Sequence, residues 1–465
     1  MNFGSLMSIA RSGMMASQAQ ISTASQNVTN AQTPGYSRQR VLLTQSYPQQ
    51  HPYGTFGTGV SVDGVERMRN ELIDSTYRRD TGGASYAEER RDALVGVEAV
   101  LGEPTDTGLA AGLEQLWSAW SDLSVDPNAG APRSVVRQRA SQVATQLNNF
   151  GNQLVELQSV ARSRLIETAD RVNALSSQVA DLNSQIVSAE AAGRQAPDMR
   201  DQRDLRVDEL ASLIGATAYR QENGAVNINV GGDALVDGAN YKIVRVQAHK
   251  NSPNKIGVAL GPIPASGTLT ETMYQLGGQM AGTVDAYNNV YPGALANLDT
   301  IAASLVAETN ARHRTGFIGS TPAGDFFDAT RTSARTIQVD SSISNNVNLI
   351  AASGAASASG DNTVALSLAR LRDTRVTIGG QSVSISEGYR NAVASVATSV
   401  NAATGTATAN RTLATQTDAR RESIKGVSID EEMVNLMKYQ QSYAAAARLI
   451  SVVDELSQTL INLGR

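Results

Sequence analysis

The N-terminal segment of the chain repeats apolar or small residues at alternating spacings of four and three, and it is nearly free of charge. The repeat consists of Phe3, Met7, Ala10, Met14, Ser17, Ile21, Ala24 and Val28. This spacing predicts a coiled-coil helix. Only Arg11 is charged before Arg38, so the helix has almost no face suited to water and requires partners on several sides.

The C-terminal segment carries a second heptad pattern. It consists of Leu436, Tyr439, Tyr443, Ala446, Ile450, Val453 and Leu460, with Ser457 at the one polar position. Ser428 and Glu431 have the spacing of a capping box, Asp430 and Glu432 add acidic charge to the first turn, and Gly464 is the expected helix end. Two heptad helices at opposite ends of one chain can pair antiparallel, so we expect the termini to close the chain on itself.

A long helix is predicted from Ser134 to Ala192, because this stretch has no proline and only Gly151 interrupts it. Its heptad residues are Val143, Leu147, Phe150, Leu154 and Leu157, followed by Val172, Leu175, Val179, Leu182 and Ile186. The four-residue steps through Ala161 and Leu165 indicate a stutter, a local unwinding of the coil. Such a helix reaches about 90 Å, which predicts a rod-shaped body.

The pattern changes to period two between Thr217 and about Thr272, and Glu222-Asn223-Gly224 is typical of a hairpin turn. Helical patterns return at Gly282–Arg314 and from about Ser386 onward, while Thr330–Gly360 is typical of a loop with short strands. We therefore predict a mainly α fold with an inserted β domain.

Three domains are expected. Residues 1–45 plus 425–465 form a terminal coiled-coil domain. Residues 46–215 plus 280–424 form a long-helix rod domain, with loops and short strands near 317–385. Residues 216–279 form a small β-rich outer domain. An aromatic content of only 5 % suits narrow helix seams better than thick globular cores.

The composition excludes several classes of function. A net charge of −5 gives no basic surface for nucleic acid. The chain has no cysteine, which excludes disulfides and thiolate chemistry. The sequence has no run of about 18 apolar residues, so a membrane-spanning helix is not predicted. The N-terminus lacks the charged and apolar regions of a cleavable signal peptide, so export would require another route.

No motif in the sequence points to a catalytic, metal or cofactor site. The chain lacks a Walker A loop, a G-x-S-x-G elbow and a G-x-G-x-x-G fingerprint. None of His51, His249 and His313 has a metal-ligand neighbour at helical spacing, and His313 is expected to be a structural histidine at a helix end. We therefore predict that the protein is not an enzyme and takes no cofactor.

The segment after the first helix carries the most specific local pattern, and we call residues 27–36 the signature turn. It includes Asn27, Asn30, Thr33, Pro34, Gly35 and Tyr36. Asn30 is expected to end the helix in the left-handed conformation. Pro34 keeps Thr33 extended, and Pro34 with Gly35 fits the centre of a type II turn. The signature turn thus fixes where the chain leaves the terminal helix.

These residues resemble a signature shared by the rod, hook and hook-associated subunits of the bacterial flagellum. Further stretches are similar to the hook-associated protein 1 family of the hook–filament junction. They are Gly57–Val60 with Val65–Arg67, Leu113–Leu147, Pro197–Leu210 with Asp201-Gln202-Arg203-Asp204, Gly277–Gly316 with Asn310 and His313, Gly360–Asn362, and Gly426–Leu463. The resemblance covers most of the chain, and the compact middle differs from longer relatives that have an extra outer domain.

The resemblance implies a structural subunit that joins hook to filament, lies outside the cell and is exported by the flagellar type III apparatus. It implies a helical ring of copies of the chain, with the hook protein proximally, the next hook-associated protein distally and an export chaperone on the C-terminal helix. The expected assembly interface comprises Phe3, Met7, Met14, Ile21, Val28, Leu436, Tyr439, Tyr443, Ile450, Val453 and Leu460.

Two alternatives stay open. A hook or rod subunit would share the signature turn and the C-terminal heptads, but it is not expected to carry the long helix or the motif at residues 201–204. A secreted coiled-coil protein with enzymatic activity would require a pocket of converging polar residues, and the sequence offers no candidate for one.

Overall fold

The computed structural model describes residues 3–51, 54–103, 105–106, 108–249, 252–261 and 276–463, and all structural statements concern these residues. The helices are α1 (Phe3–Thr29), α2 (Glu71–Leu101), α3 (Leu109–Val125), α4 (Gly130–Ala191), α5 (Pro197–Ile214), α6 (Gly278–Asp285), α7 (Tyr291–His313), α8 (Ser341–Asn345), α9 (Thr363–Ala369), α10 (Ile385–Lys425) and α11 (Ile429–Leu463). A π turn over Ala286–Val290 joins α6 to α7, and short 3₁₀ turns cover Val347–Leu349 and Arg370–Arg372. The expected helix end at Gly464 lies outside the described residues.

The strands are short and pair only antiparallel among the described residues. They are β1 (Gln39–Gln45), β2 (Gln49–His51), β3 (Gly54–Phe56), β4 (Val60–Arg67), β5 (Thr217–Arg220), β6 (Val226–Val230), β7 (Asp233–Asp237), β8 (Asn240–Tyr241), β9 (Ile243–His249), β10 (Ser252–Gly261), β11 (Phe317–Ile318), β12 (Thr321–Pro322), β13 (Val376–Ile378) and β14 (Gln381–Val383). Strands β5 to β8 form one sheet in chain order, and the other strands form the pairs β1–β4, β2–β3, β9–β10, β11–β12 and β13–β14.

The two terminal helices pair antiparallel, as the sequence predicts. Asn27, near the end of α1, donates a hydrogen bond to Glu432 at the start of α11, at 3.1 Å. Farther along both helices, a Cβ atom built on Gly13 would lie 3.9 Å from the Cβ atom of Ala446. The N-terminal half of α1 therefore faces the C-terminal half of α11, and glycine and alanine allow the two backbones to approach closely.

A second antiparallel helix pair, α2 with α10, forms part of the body next to the terminal pair. Arg421 near the end of α10 bonds Asp74 in the first turn of α2 at 2.7 Å, and Arg411 bonds Glu88 at 2.8 Å. Helix α10 begins with a complete capping box formed by Ser384 and Glu387. It ends at Lys425, so residues 426–428 separate it from α11.

The predicted long helix is confirmed as α4, which has 62 residues. It contributes to two hydrophobic cores. The first lies between α3, the first part of α4, α7 and the segment from Phe326 to Tyr389. The second lies between the rest of α4, α5, α6 and the strands β6, β7, β9 and β10. Ala161 belongs to the first core and Leu165 to the second, so the predicted stutter coincides with the change of packing partners.

The predicted fold class is confirmed, with some differences in the boundaries of the elements. The hairpin predicted at Glu222–Gly224 joins β5 to β6, and Gly224 has a φ of 88° there. Helix α6 begins at Gly278 rather than Gly282, and the loop at 330–360 contains the short helix α8. The core of the β region extends over α5 and half of α4, so a division at residue 216 falls within one core. The three-domain division stays a proposal.

We expect Leu165→Ala to lower the free energy of unfolding by about 2–5 kcal/mol, because Leu165 is fully buried where α4 enters the second core. The matched control is Ile166→Ala on the same helix, since Ile166 is 44 % exposed and its truncation should cost less than about 1 kcal/mol. Urea unfolding followed by circular dichroism measures both. Equal losses in the two variants would contradict this account of α4.

Candidate assembly site at the signature turn

The signature turn has the predicted type II geometry at Pro34 and Gly35. The backbone N–H of Tyr36 donates to the carbonyl oxygen of Thr33 at 3.2 Å, and Gly35 has a φ of 82°. A Cβ atom on Gly35 would also lie 3.3 Å from the Cβ atom of Leu205. Glycine is therefore favoured twice, by the positive φ and by the close approach of α5, where a larger residue would need Leu205 to shift by a few tenths of an ångström.

The predicted role of Asn30 as a left-handed helix end is wrong. Among the described residues, Ser357 is the one non-glycine residue with a positive φ. The side-chain amide of Asn30 instead donates to the carbonyl oxygen of Gln26 at 3.1 Å, and its oxygen accepts from the Thr33 hydroxyl at 3.1 Å. Asparagine ends the helix here through side-chain hydrogen bonds to the neighbouring turns.

Asn27 connects the signature turn, the first strand and the last helix. Its side-chain oxygen accepts from the Gln39 backbone N–H at 3.0 Å and from the Tyr36 hydroxyl at 2.9 Å. Its amide nitrogen donates to the Gln39 carbonyl at 2.9 Å and to Glu432 at 3.1 Å. All four of its hydrogen-bonding positions are used, and the residue is 1 % exposed. Replacing it would leave buried groups on three segments without a partner.

Arg38 binds the start of α11 from the other side. Its guanidinium lies 2.7 Å from Glu432 and 3.0 Å from Glu431, and its backbone N–H donates to the Lys425 carbonyl at 2.8 Å. The sequence predicted that Glu432 adds acidic charge to the first turn of this helix, and the structure places it there, 3 % exposed between Arg38 and Asn27. The chain therefore enters and leaves the terminal helix pair at one polar junction.

Asp201 of α5 anchors this junction to the body. Its carboxylate accepts from the backbone N–H of Ser37 at 2.9 Å and from the Ser37 hydroxyl at 2.6 Å. The same carboxylate accepts from Arg67 at the end of β4, at 2.7 Å. One helical turn earlier, Asp198 accepts from the Gln39 side chain at 3.0 Å. Two carboxylates on one face of α5 thus hold the segment that follows the signature turn.

A row of alternating charges continues from Asp201 into the body, and we call it the buried ion chain. The nitrogen and oxygen atoms of neighbouring charged groups lie 2.7–3.0 Å from each other, except for one shorter contact between Arg421 and Asp208. Its order is Asp201, Arg67, Asp204, Arg69, Asp74, Arg421, Asp208 and Arg78. These side chains come from the end of β4 and the start of α2, which are consecutive in the chain, from α5 and from α10, so the ion chain joins three segments that are distant in sequence.

The pKa shifts show how strongly these charges are coupled. Burial alone would raise the pKa of Asp204, but Arg69 and Arg67 hold it well below its ordinary value. Burial would lower the pKa of Arg69, and Asp204 and Asp74 raise it instead. Burial, with added repulsion from Asp198, raises the pKa of the Tyr36 hydroxyl, which stays a neutral donor to Asn27. All three groups keep the protonation state that their contacts require.

The residues predicted for the assembly interface fall into two sets. Leu436, Tyr439, Ile450 and Val453 are buried or half-buried on the side of α11 that faces α1, and Phe3, Met7, Met14, Ile21 and Val28 are half-buried along α1. Tyr443 is 37 % exposed and Leu460 is 57 % exposed. The heptad seam is therefore largely used within one chain, and its role between copies stays a proposal.

His313 has the structural role that the sequence predicts for it. It is fully buried at the end of α7, where Nε2 accepts from the Ala351 backbone N–H at 3.0 Å. Nδ1 therefore carries the proton and donates to the Gly324 carbonyl at 2.8 Å. Burial lowers the pKa of the imidazole, which favours the neutral form. Across the described ranges, no cluster of three or more His, Asp or Glu side chains could hold a metal ion.

Sequence reasoning missed the buried ion chain as a physical unit. A signal was present, since Asp201, Asp204 and Asp208 recur at spacings of three and four on α5 and therefore share one face. The arginine partners could not be assigned, because Arg67, Arg69 and Arg421 lie far away in sequence.

In the described part of the chain, no helix combines the length and apolarity that crossing a bilayer requires.

Three family models match different parts of the chain. The model described as flagellar hook-associated protein FlgK helical domain matches residues 94–327. The model for the C-terminal part of flagellar basal body rod proteins FlgEFG matches residues 423–463, and the model for flagella basal body rod protein matches residues 7–36. The two rod models thus cover the terminal helices, and the hook-associated model covers the body.

Relatives and a solved structure match nearly the whole architecture. Flagellar hook-associated protein 1 of Bacillus subtilis is 31 % identical, with 97 % of each chain covered. The protein of the same name from Escherichia coli is 22 % identical, with 99 % of this chain and 100 % of the relative covered. The flagellar hook junction protein FlgK from Burkholderia pseudomallei shares the fold, with a TM-score of 0.65 at 15 % identity over 77 % of this chain and all of the other.

We expect Arg421→Met to lower the free energy of unfolding by about 3–5 kcal/mol, because it leaves the buried Asp74 and Asp208 each with one cation fewer. The matched control is Arg411→Met on the same helix, whose side chain is 70 % exposed in its pair with Glu88 and whose replacement should cost far less. Urea unfolding measures both variants. Losses of similar size would show that the buried ion chain has no special role.

Proposed function

The chain belongs to the flagellar hook-associated protein 1 family, and we propose on this basis that it is a structural subunit of the bacterial flagellum that joins the hook to the filament. The observation that carries the proposal is the match to hook-associated protein 1 of Bacillus subtilis over 97 % of both chains. The architecture supports it, because a helical body of the matching fold carries one antiparallel pair made of both termini.

The distribution of the matches favours the junction over a hook or rod position. Rod-protein models match only residues 7–36 and 423–463, which lie in the paired terminal helices. The body from 94 to 327 matches the hook-associated model instead, and it includes α4 and the motif at residues 201–204. The ends are thus of a type shared by axial subunits, and the body is what separates the junction protein from a hook or rod subunit.

We propose that copies of the chain contact one another mainly through the outer side of α11. The seam toward α1 is occupied within the chain, yet large apolar side chains remain exposed on the other sides of this helix. They are Ile429, Met433, Val434, Met437, Leu449, Val452, Leu456, Leu460 and Ile461. An exposed apolar surface of this extent on one helix is typical of an interaction site. A ring of copies would cover it, since each α11 could pack against a neighbouring terminal pair.

The proposed partners follow from the family to which the chain belongs. Proximally the ring contacts the hook protein, and distally it contacts the next hook-associated protein. Before assembly, the apolar α11 requires protection from aggregation, and this supports an export chaperone on that helix. Export through the flagellar type III apparatus without a cleavable signal peptide completes the proposal. We propose a mechanical role without catalysis, without a nucleic-acid partner and without membrane insertion.

The junction role is tested in cells that lack this chain. Such cells should assemble hooks and release unpolymerised filament protein into the medium, because the two lattices have no adaptor between them. Expression of the wild-type chain should restore attached filaments, as scored by electron microscopy and by filament protein in the culture supernatant. Full filaments without the chain would exclude the junction role, and missing hooks would instead indicate a hook or rod subunit.

The proposed contact surface is tested by Val452→Lys combined with Leu456→Lys, two side chains that are about half exposed on α11. The double variant should keep its circular dichroism spectrum but fail to restore filaments, because a lysine buried between copies is costly. The matched control is Leu413→Lys, which lies 52 % exposed on α10 outside the terminal pair and should restore filaments. Restoration by the double variant would contradict the α11 surface.

A further inference from the structure

A cleft beside the buried ion chain is rich in arginine. It has a volume of about 640 Å³. On one side it is lined by the paired strands β1 and β4 and the start of α2, and on the other by the connection from α4 to α5, the first turns of α5 and strands β5 and β6. Seven arginines and five carboxylates are among the described residues that line it. The ion chain, the pair Arg200–Glu190 and the pair Arg220–Glu71 account for most of these charges.

Two guanidinium groups on one face of α5 remain incompletely satisfied in this cleft. The Nε atoms of Arg200 and Arg203 are buried and have no hydrogen-bond partner in the described part of the chain. Arg203 is 2 % exposed, and Nη1 donates only to uncharged oxygens, on Asn183 at 3.0 Å and on Gly224 at 2.8 Å. Its nearest carboxylate contact is 3.9 Å long, to Asp204. A buried cation without a close anion is costly, so a missing partner is the simplest explanation.

The surroundings of Arg203 are cationic. Burial lowers the pKa of its guanidinium to about 10, and repulsion from Arg67, Arg200 and Arg220 acts in the same direction. The attraction of Asp204 offsets only part of this effect. Arg194, in the connection from α4 to α5, lines the same cleft, and within the described ranges its side chain has neither a hydrogen bond nor an ion pair. An anion in the cleft would relieve these repulsions.

We propose that this cleft binds a small oxyanion, of the size of phosphate or sulfate, through Arg194, Arg200 and Arg203. Guanidinium groups present parallel N–H donors that match the oxygens of such anions. The same chemistry can come from a dissolved oxyanion or from a carboxylate of a second copy of the chain. This site lies on the body near the junction and does not depend on the proposed flagellar function.

Binding is tested by titrating inorganic phosphate into the purified full-length chain at constant ionic strength, with sodium chloride as the balancing salt. We expect saturable heat by calorimetry and a rise in the unfolding midpoint, because a ligand that binds only the folded chain stabilises it. Arg200→Gln should weaken binding about tenfold or more, since it removes a charged donor. The matched control, Arg206→Gln on the same helix, lies outside the cleft and should bind as the wild type does.

A second variant covers the case in which Arg200→Gln disturbs the fold. Arg194→Gln changes an exposed side chain, so it should keep the fold and weaken binding several-fold. The proposal is overturned if the wild type shows no saturable heat, or if phosphate acts no differently from sodium chloride. Equal weakening in Arg206→Gln would overturn it as well.

The effect of phosphate on assembly distinguishes a dissolved oxyanion from a carboxylate of a second copy as the source of the anion. If a carboxylate of the next copy occupies the cleft, saturating phosphate should compete with it and reduce assembly. If a dissolved anion occupies the cleft, assembly should be unchanged while monomer binding persists. Either result supports the site once the monomer binds phosphate, and a monomer that does not bind phosphate would overturn it.

Discussion

The buried ion chain is the interaction on which the arrangement of the helices depends. It begins at Asp201, which holds Ser37 just after the signature turn, and it reaches Arg421, shortly before the chain returns toward α11. Both crossings between the terminal pair and the body are therefore fixed by one network. Buried ion pairs contribute little net stability compared with apolar packing, but they are costly to break or to misalign. Such a network favours one arrangement of the terminal pair relative to the body.

The body follows from the length and phase of α4. A single helix of 62 residues supports two hydrophobic cores, and its buried face passes from one to the other between Ala161 and Leu165, where the sequence predicts a stutter. The second core covers the β region with half of α4 and all of α5, so these parts form one unit. Since α5 also supplies Asp198, Asp201 and Asp204, packing in this core positions the carboxylates that bind the junction with the terminal helices.

The sequence allowed prediction of what is local and periodic. The heptads predicted α1, α4 and α11, and Pro34-Gly35 predicted the turn, because backbone geometry restricts those positions strongly. It did not predict the helix end at Asn30, where side-chain hydrogen bonds replace a left-handed residue. The ion chain was also missed. Apart from Arg69 and Asp74, its partners are 130 to 347 positions apart, and no local pattern indicates which arginine meets which aspartate.

The terminal helices show a second limit of prediction from sequence. A heptad seam predicts that a helix has partners, but not whether the partner belongs to the same chain. The structure uses most of the seam for α1 and leaves Leu449, Val452 and Leu456 exposed, so the surface available to another copy lies mainly outside the heptad positions. Closing the chain on itself and offering a second apolar surface are separate functions of one helix.

In this account, the polar junction holds the terminal helix pair at one fixed angle to the body, and a distance measurement between the two tests this directly. Because the chain has no cysteine, spin labels can be placed uniquely at Ser442→Cys on α11 and Glu167→Cys on α4, both exposed positions. Pulsed electron paramagnetic resonance should give one narrow distance distribution, which broadens when Asp201→Ala removes the anchor of Ser37. A reference pair at Thr404→Cys and Glu167→Cys, both exposed in the body, should stay narrow in both backgrounds. A broad distribution in the otherwise unchanged chain, or no effect of Asp201→Ala, would contradict the account.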